Sequence, residues 1–326
     1  MDILNPKTLR ERAGCALARG REPKKLVLAY AGISLAMSLL MLLANLWLEN
    51  QISGTTGLSN LGSRAIFSTA QQAIPIIVSF VSMCLELGYL GGMMRICRGQ
   101  YADHTDLKAG FRKFFPLMRL ALIQGMIYLA VGILAVQLGS VIFAMTPWSR
   151  PLQDAILELS MADPAALDEA MILGLMEHMG PMYVIVGVVY LVILIPFLHR
   201  FRMANFCLLD DPKGSAMAAI RTSTRMMRRR FGAMLKIDLS LWMYYAAMAV
   251  VTVILYLDLI LPALGITPPV DAMLFSLLVT AAALALQFGI QLRLRNRVEA
   301  TYLTAYEQLR EKPRDEGVVL GNIFDM

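Results

Sequence analysis

The chain has 326 residues, 57% of them hydrophobic and only 17% charged, with a mean hydropathy of +0.59 and a net charge of +6. Soluble domains run at about 45–50% apolar and about 25% charged, so this composition excludes an ordinary soluble domain and indicates a membrane protein. The 23 methionines fit the same reading, because a flexible thioether fills irregular gaps between helices.

The first predicted element is the basic, amphipathic stretch Asn5 to Lys25, in which Asn5 followed by Pro6 reads as an N-cap and first-turn proline. Six apolar runs long enough to cross a bilayer follow, with helices predicted near residues 26–48, 68–94, 118–146, 179–203, 234–261 and 272–296. In lipid such runs must be helical, since the backbone has to satisfy its own hydrogen bonds. The first exceeds the core of a signal peptide, about 7–15 residues, and is expected to remain in the mature chain. The expected fold is all-α and polytopic: one domain over residues 1–310, six transmembrane helices in three hairpins, then a short tail, 311–326. Each hairpin is preceded by a basic stretch, at Asn5 to Lys25, Asp106 to Arg119 and Asp210 to Phe231. These are expected to be amphipathic helices at the cytoplasmic membrane interface. Of the connections on the other side, Gln51 to Ser63 is rich in small polar residues, and Pro151 to Gly180 is expected to hold one or two short surface helices. A gapless offset of 117 places Lys113, Phe114, Arg119 and Tyr128 on Arg230, Phe231, Lys236 and Tyr245, which suggests a parallel internal repeat.

Basic residues set the expected orientation. The amino-terminal segment to Lys25, Arg95 to Arg119, Arg200 to Lys236 and Arg293 to Arg314 hold 28 of the 30 Lys and Arg, all on one side of a six-span topology. The positive-inside rule then puts both termini in the cytoplasm. Cys15, Cys97 and Cys207 fall on that side and Cys84 within a span, so no disulfide is expected on the oxidising face.

Few residues promise chemistry. Glu86 lies inside an apolar run, where a charge costs at least about 2.5–3.5 kcal/mol, so it should be protonated, paired or facing a polar cavity. It is a functional candidate, or else an edge residue paired with Arg95, Arg119 or a basic loop. Asp238 opens the fifth run and could join Glu86 and Arg119 in a polar cluster, or simply lock helix ends together. Arg221, Arg225, Arg228, Arg229, Arg230 and Lys236 form a basic cluster suited to anionic lipid headgroups. Such a cluster in a short loop between spans does not suit nucleic acid, which needs a polar domain with a groove-reading element. Gly125, Gly132 and Gly139, and Ala281, Ala285 and Gly289, lie along helix faces where small residues allow close packing. No HExxH, GxSxG, P-loop or GxGxxG occurs, and His104, His178 and His199 stand on separate segments. No catalytic residue, cofactor or metal is therefore expected.

The segment Arg200 to Trp242 contains an Asp-x-Pro turn at Asp210 and Pro212, then Ala219, Ile220, Ser223, Met226 and Met227 on one helix, then Asp-Leu-Ser-x-Trp at Asp238 to Trp242. With LRERAGCALARGREPKK, Leu9 to Lys25, and ATYLTAYEQL, Ala300 to Leu309, it resembles an uncharacterised bacterial family of six-helix integral membrane proteins known as domain of unknown function 975. Arg228 to Arg230 stand where that family's pattern would place a glycine. The resemblance implies a bacterial plasma-membrane protein and transfers no catalytic residues. Three functions stay open: a non-enzymatic membrane component binding lipid or a membrane or cytoplasmic partner protein, a transporter or channel built around Glu86 and Asp238, and a lipid-modifying enzyme. An open cavity lined by both carboxylates would favour transport; carboxylates capped in a packed interior would favour the first.

Overall fold

The computed structural model describes residues 4–20, 23–54, 61–161, 169–211, 214–228, 230–257, 261 and 272–311. Pro212, Arg229, Asp163, Leu167, Asp168 and the tail after Glu311 lie outside the described residues. In chain order the elements are α1 (Pro6–Arg19), α2 (Pro23–Gly54), α3 (Leu61–Cys97), a 3-10 turn (His104–Lys108), α4 (Ala109–Arg112) and α5 (Phe114–Ala144). There follow α6 (Ser149–Met161), α7 (Glu169–Phe201), α8 (Ala204–Asp210), α9 (Ala216–Met227), α10 (Phe231–Ser240) and α11 (Trp242–Leu255). The last elements are α12 (Ala272–Ile290), a π-helical turn (Gln291–Arg295) and α13 (Asn296–Glu311). Among the described residues every regular element is helical.

Among the described residues five helices are long and apolar enough to cross a bilayer, or six if the bent pair α10 and α11 is one span. That pair corrects the expectation of one continuous helix over 234–261: the two halves meet at 70°. No proline causes the bend. Leu241 leaves helical geometry at φ −103° and ψ 17°, and the Ser240 hydroxyl donates to the Ile237 carbonyl at 2.7 Å. A side chain competing for a carbonyl in the helical ladder is a recognised source of kinks. The Ser240 carbonyl at the break accepts from Arg10 Nη1 on α1 at 3.3 Å, so the bend leaves it partnered.

Burial is uneven. The largest apolar core gathers Leu9 and Ala13 of α1, Leu26 of α2, Leu87 to Ile96 of α3, Leu208, Met227, Met234 and Ile237, and Leu303 to Leu309 of α13. All of these lie at the end of the bundle that carries the basic stretches. The middles of the long helices instead expose large apolar side chains, such as Leu40, Leu129, Val184 and Leu278, as surfaces covered by lipid would. Along them α2 packs on α3, α5 on α7, and α11 on α12.

The basic stretches do not leave their apolar faces free. Asn5 caps α1 as expected, its side chain accepting from the Lys7 amide at 3.1 Å, but α1 then buries Leu9 and Ala13 and packs along α13. In α9, Ala216, Ala219, Ile220, Ser223 and Met227 all turn inward, and the Ser223 hydroxyl donates to the Arg200 carbonyl at 2.7 Å. The cap of α9 is Ser215, whose side chain accepts from the Ala218 amide, and Asp210 is engaged elsewhere. The proposed repeat has a backbone counterpart. Lys113 before α5 sits at φ −104°, ψ 25°, and Arg230 before α10 at φ −116°, ψ 13°, so α5 and α10 each begin after a non-helical residue at the matched position.

Small residues matter at fewer positions than their spacing suggests. Gly139 faces Val186 of α7 closely, whereas Gly125 and Gly289 have nothing near them, and Ala281 and Ala285 are exposed while Ala283 is buried. The tight approach is between α3 and the 3-10 turn and α4. There Gly88 faces the Leu107 backbone and Gly110 faces the Cys84 carbonyl, with no room for a Cβ. We expect Gly110→Ala to destabilise the protein by at least about 1–3 kcal/mol, the usual range for overpacking, and Gly125→Ala to leave it unchanged. Thermal unfolding in detergent measures both; equal melting points would contradict the close packing.

Candidate polar site along the last helix

The π-helical turn and α13 carry Arg295, Asn296, Glu299, Tyr302, Tyr306 and Glu307. Spacings of three and four residues bring Arg295, Glu299, Tyr302 and Tyr306 onto one helix face. Three polar groups from the rest of the chain dock against this stripe at successive levels.

At the first level, Arg295 Nη2 lies 3.0 Å from Glu86 Oε1. The guanidinium carbon sits 4.5 Å from the Tyr30 ring centre and 5.3 Å from that of Tyr89, and these rings stack on each other at 4.8 Å. Aromatic faces attract a cation through their quadrupole, so the tyrosines hold the guanidinium that Glu86 neutralises. Tyr89 donates its hydroxyl to Asn296 Oδ1 at 2.7 Å, and Asn296 Nδ2 donates to the Pro23 carbonyl at 3.0 Å, which ties the first turn of α2 to the last helix. Arg295 is 10% exposed and Glu86 45%, so the pair runs from the core to its edge.

At the second level, Tyr302 donates its hydroxyl to Asp238 Oδ1. Arg202 Nη2 donates to the Tyr245 hydroxyl at 2.5 Å and lies 3.5 Å from Asp238, and the Tyr245 and Tyr302 hydroxyls are 2.6 Å apart. His199 Nε2 is 3.6 Å from Asp238 Oδ2, and its ring packs edge-on against Phe231. The bend after α10 brings Asp238 to this stripe, so the break and the site have one geometry.

At the third level, Arg98 donates from Nε and Nη2 to Glu307 Oε1 at 2.8 and 2.6 Å, and pairs with Asp210 at 2.9 Å. Tyr306 donates to Asp210 at 2.9 Å, and Arg310 reaches the same carboxylate at 3.1 Å. Burial alone would lower the pKa of Arg98; its hydrogen bonds to Asp210 and Glu307 outweigh that and raise it above the ordinary value. Nearby, Lys113 Nζ donates to the carbonyls of Leu208, Leu209 and Asp211 at the end of α8. Burial lowers its pKa, against the opposing pull of Asp211 and Asp210.

The expected cluster of Glu86, Asp238 and Arg119 does not assemble. Each carboxylate has its own partners, and Arg119 is exposed and pairs with neither. Arg95 pairs with Asp106 at 2.7 Å instead of Glu86. What joins Glu86 to Asp238 is the last helix, through Arg295 and Tyr302, seven residues or about 10 Å apart along the axis. The basic cluster is split as well: Arg221, Arg225, Arg228 and Lys236 are exposed and Arg230 is half-buried. Two open, shallow grooves lie elsewhere. One of about 350 Å³ runs between α8, α9 and α13 beside Asp210 and Tyr306; one of about 700 Å³ lies by Tyr128, Gly132 and Tyr190 on α5 and α7. Neither is lined by Glu86 or Asp238. Among the described residues no three His, Cys, Asp or Glu gather as a metal ion would require.

No protein family, curated protein or solved structure matches the chain.

Breaking a pair costs most when the charge left behind is the buried one. Glu86→Gln leaves the Arg295 guanidinium, only 10% exposed, without its carboxylate and should destabilise the protein by about 1–3 kcal/mol, whereas Arg295→Gln leaves a carboxylate that is 45% exposed to solvent and should cost less. Denaturant unfolding compares the two; a larger loss from Arg295→Gln would show that the ring contacts of the guanidinium, not its pairing with Glu86, organise this level.

Proposed function

We propose that the chain is a multi-pass bacterial plasma-membrane protein with both termini cytoplasmic, and a non-enzymatic component with a regulatory or assembly role. On this reading residues 1–310 are one six-span domain of three hairpins, with the fifth crossing running through α11. Its basic end binds anionic headgroups or a membrane or cytoplasmic protein. The resemblance to the family known as domain of unknown function 975 stands as part of the proposal. The residues that carry it include Asp238, Tyr302, Tyr306 and Glu307, which make the interhelix contacts described above.

One observation carries the reading: Glu86, Asp210 and Asp238 are each engaged by a guanidinium or a tyrosine from a different helix. A carboxylate held this way fixes helix register and has little capacity left for a solute. The same geometry offers a second reading. A broken helix and a π-helical turn flank these carboxylates, and both features recur at binding sites of membrane transporters.

Reconstitution separates the two. Proteoliposomes loaded with a pH-sensitive dye or with K⁺ or Na⁺ indicators should show no flux above protein-free vesicles, and flux abolished by Glu86→Gln would establish transport instead. Protease added outside spheroplasts should cut next to Arg150 and spare the basic end. Cleavage there only after lysis would reverse the proposed orientation.

A further inference from the structure

A helix that docks on one side of a protein needs one apolar face, and α10 has two. Met234 and Ile237 are fully buried, with Ala233 and Leu241 packed beside them. Phe231, Leu235 and Leu239 point elsewhere and are exposed. At intervals of four they stand one above another on a single face, within a sector of about 80°. Trp242, 63% exposed, extends that apolar surface just past the break. Lys236 and Gly232 form a third, exposed edge, and exposed Arg228 and half-buried Arg230 lie immediately before the helix.

The orientation of α10 makes this pattern informative. It meets α11 at 70°, so if α11 crosses a bilayer, α10 lies closer to the membrane plane than to its normal. It is held there by the Arg10 bond to the Ser240 carbonyl and by Tyr302 on Asp238. A short helix in the interface, apolar on one side and basic at its edge, with tryptophan at its end, has the composition of an interfacial anchor. The α9 helix preceding it cannot play that part, since its apolar face is spent inside the protein.

We propose that α10 lies flat on the bilayer surface, with Phe231, Leu235, Leu239 and Trp242 sunk at the level of the upper acyl chains. Arg228, Arg230 and Lys236 then engage the headgroups of anionic phospholipids. This rests on the membrane-spanning reading above and assigns its lipid contact to α10, away from the apolar face of α9. Each basic residue near an anionic surface favours it by roughly fivefold, so three of them give a clear lipid preference.

Depth-resolved tryptophan quenching tests it on the full chain in vesicles of phosphatidylcholine and phosphatidylglycerol, with lipids brominated at shallow or deep positions. In a Trp47→Phe, Trp148→Phe, Trp242→Phe background, a tryptophan is placed singly at Phe231, Leu235 or Leu239, and at Leu129 of α5 as a reference. The proposal requires all three α10 positions to be quenched at one shallow depth, with Leu129→Trp quenched more deeply. A depth that increases by about 12 Å from Phe231 to Leu239 would make α10 part of a crossing segment and overturn the proposal. Loss of quenching on α10 alone would overturn it too, whereas loss at Leu129→Trp as well would remove the transmembrane reading itself. In the otherwise native chain, enrichment of phosphatidylglycerol over phosphatidylcholine at the protein should be several-fold and should fall clearly in Arg228→Gln, Arg230→Gln, Lys236→Gln. Enrichment unchanged in that variant would overturn the headgroup assignment.

Discussion

A guanidinium enclosed between two tyrosine rings at the end of an apolar bundle needs an anion, and Arg295 obtains it from Glu86 of α3. That need places the last helix beside α3 and α2. The other contacts of the basic end follow along the same helix face: Asn296 on the first turn of α2, Tyr302 on Asp238 of α10, Tyr306 and Glu307 on Asp210 and Arg98. Because α12, the π turn and α13 succeed one another without a gap, this face links the long apolar helices to the packed core below them.

The stripe specifies arrangement more than it adds stability. Buried ion pairs often do little better than well-packed apolar residues of the same shape, since desolvation consumes the Coulombic gain. Long helices in lipid lack a hydrophobic force between them and are held by packing and directional bonds. With 57% of residues hydrophobic, many rotations of these helices would bury similar apolar surface. Few would satisfy Glu86, Asp238 and Asp210 together. The π turn fits this role, because it alters the rotation of Arg295 relative to α12 while the backbone stays helical.

Long apolar runs made most of the helices readable in advance. Runs near 26–48 and 68–94 lie within α2 and α3, and those near 118–146 and 179–203 overlap α5 and α7, which begin earlier and end two residues sooner. The break at Leu241 escaped notice because its cause is a serine hydroxyl and a distant arginine, not a proline or glycine. Glu86 and Asp238 stood out as carboxylates in apolar surroundings, but their partners did not. Arg95 and Arg119 were nearer in sequence than Arg295, and Tyr302 looks apolar in a hydropathy count. The spacing of Arg295, Glu299, Tyr302 and Tyr306 was the signal available: a polar and aromatic face on a helix that otherwise buries Val298, Leu303 and Leu309. For α1 and α9, amphipathicity was visible, but whether protein or lipid covers the apolar face depends on contacts between segments far apart in the chain.

The central claim is that the basic end holds together through the last helix. Hydrogen–deuterium exchange in lipid nanodiscs, comparing the native chain with Arg295→Gln, Tyr302→Phe, Tyr306→Phe, tests it most directly. The account predicts faster exchange together in α1, α10 and the end of α3 next to Cys97, with α5 and α7 unchanged in their middle turns. Faster exchange confined to residues 295–306, with α1, α3 and α10 as protected as before, would contradict it.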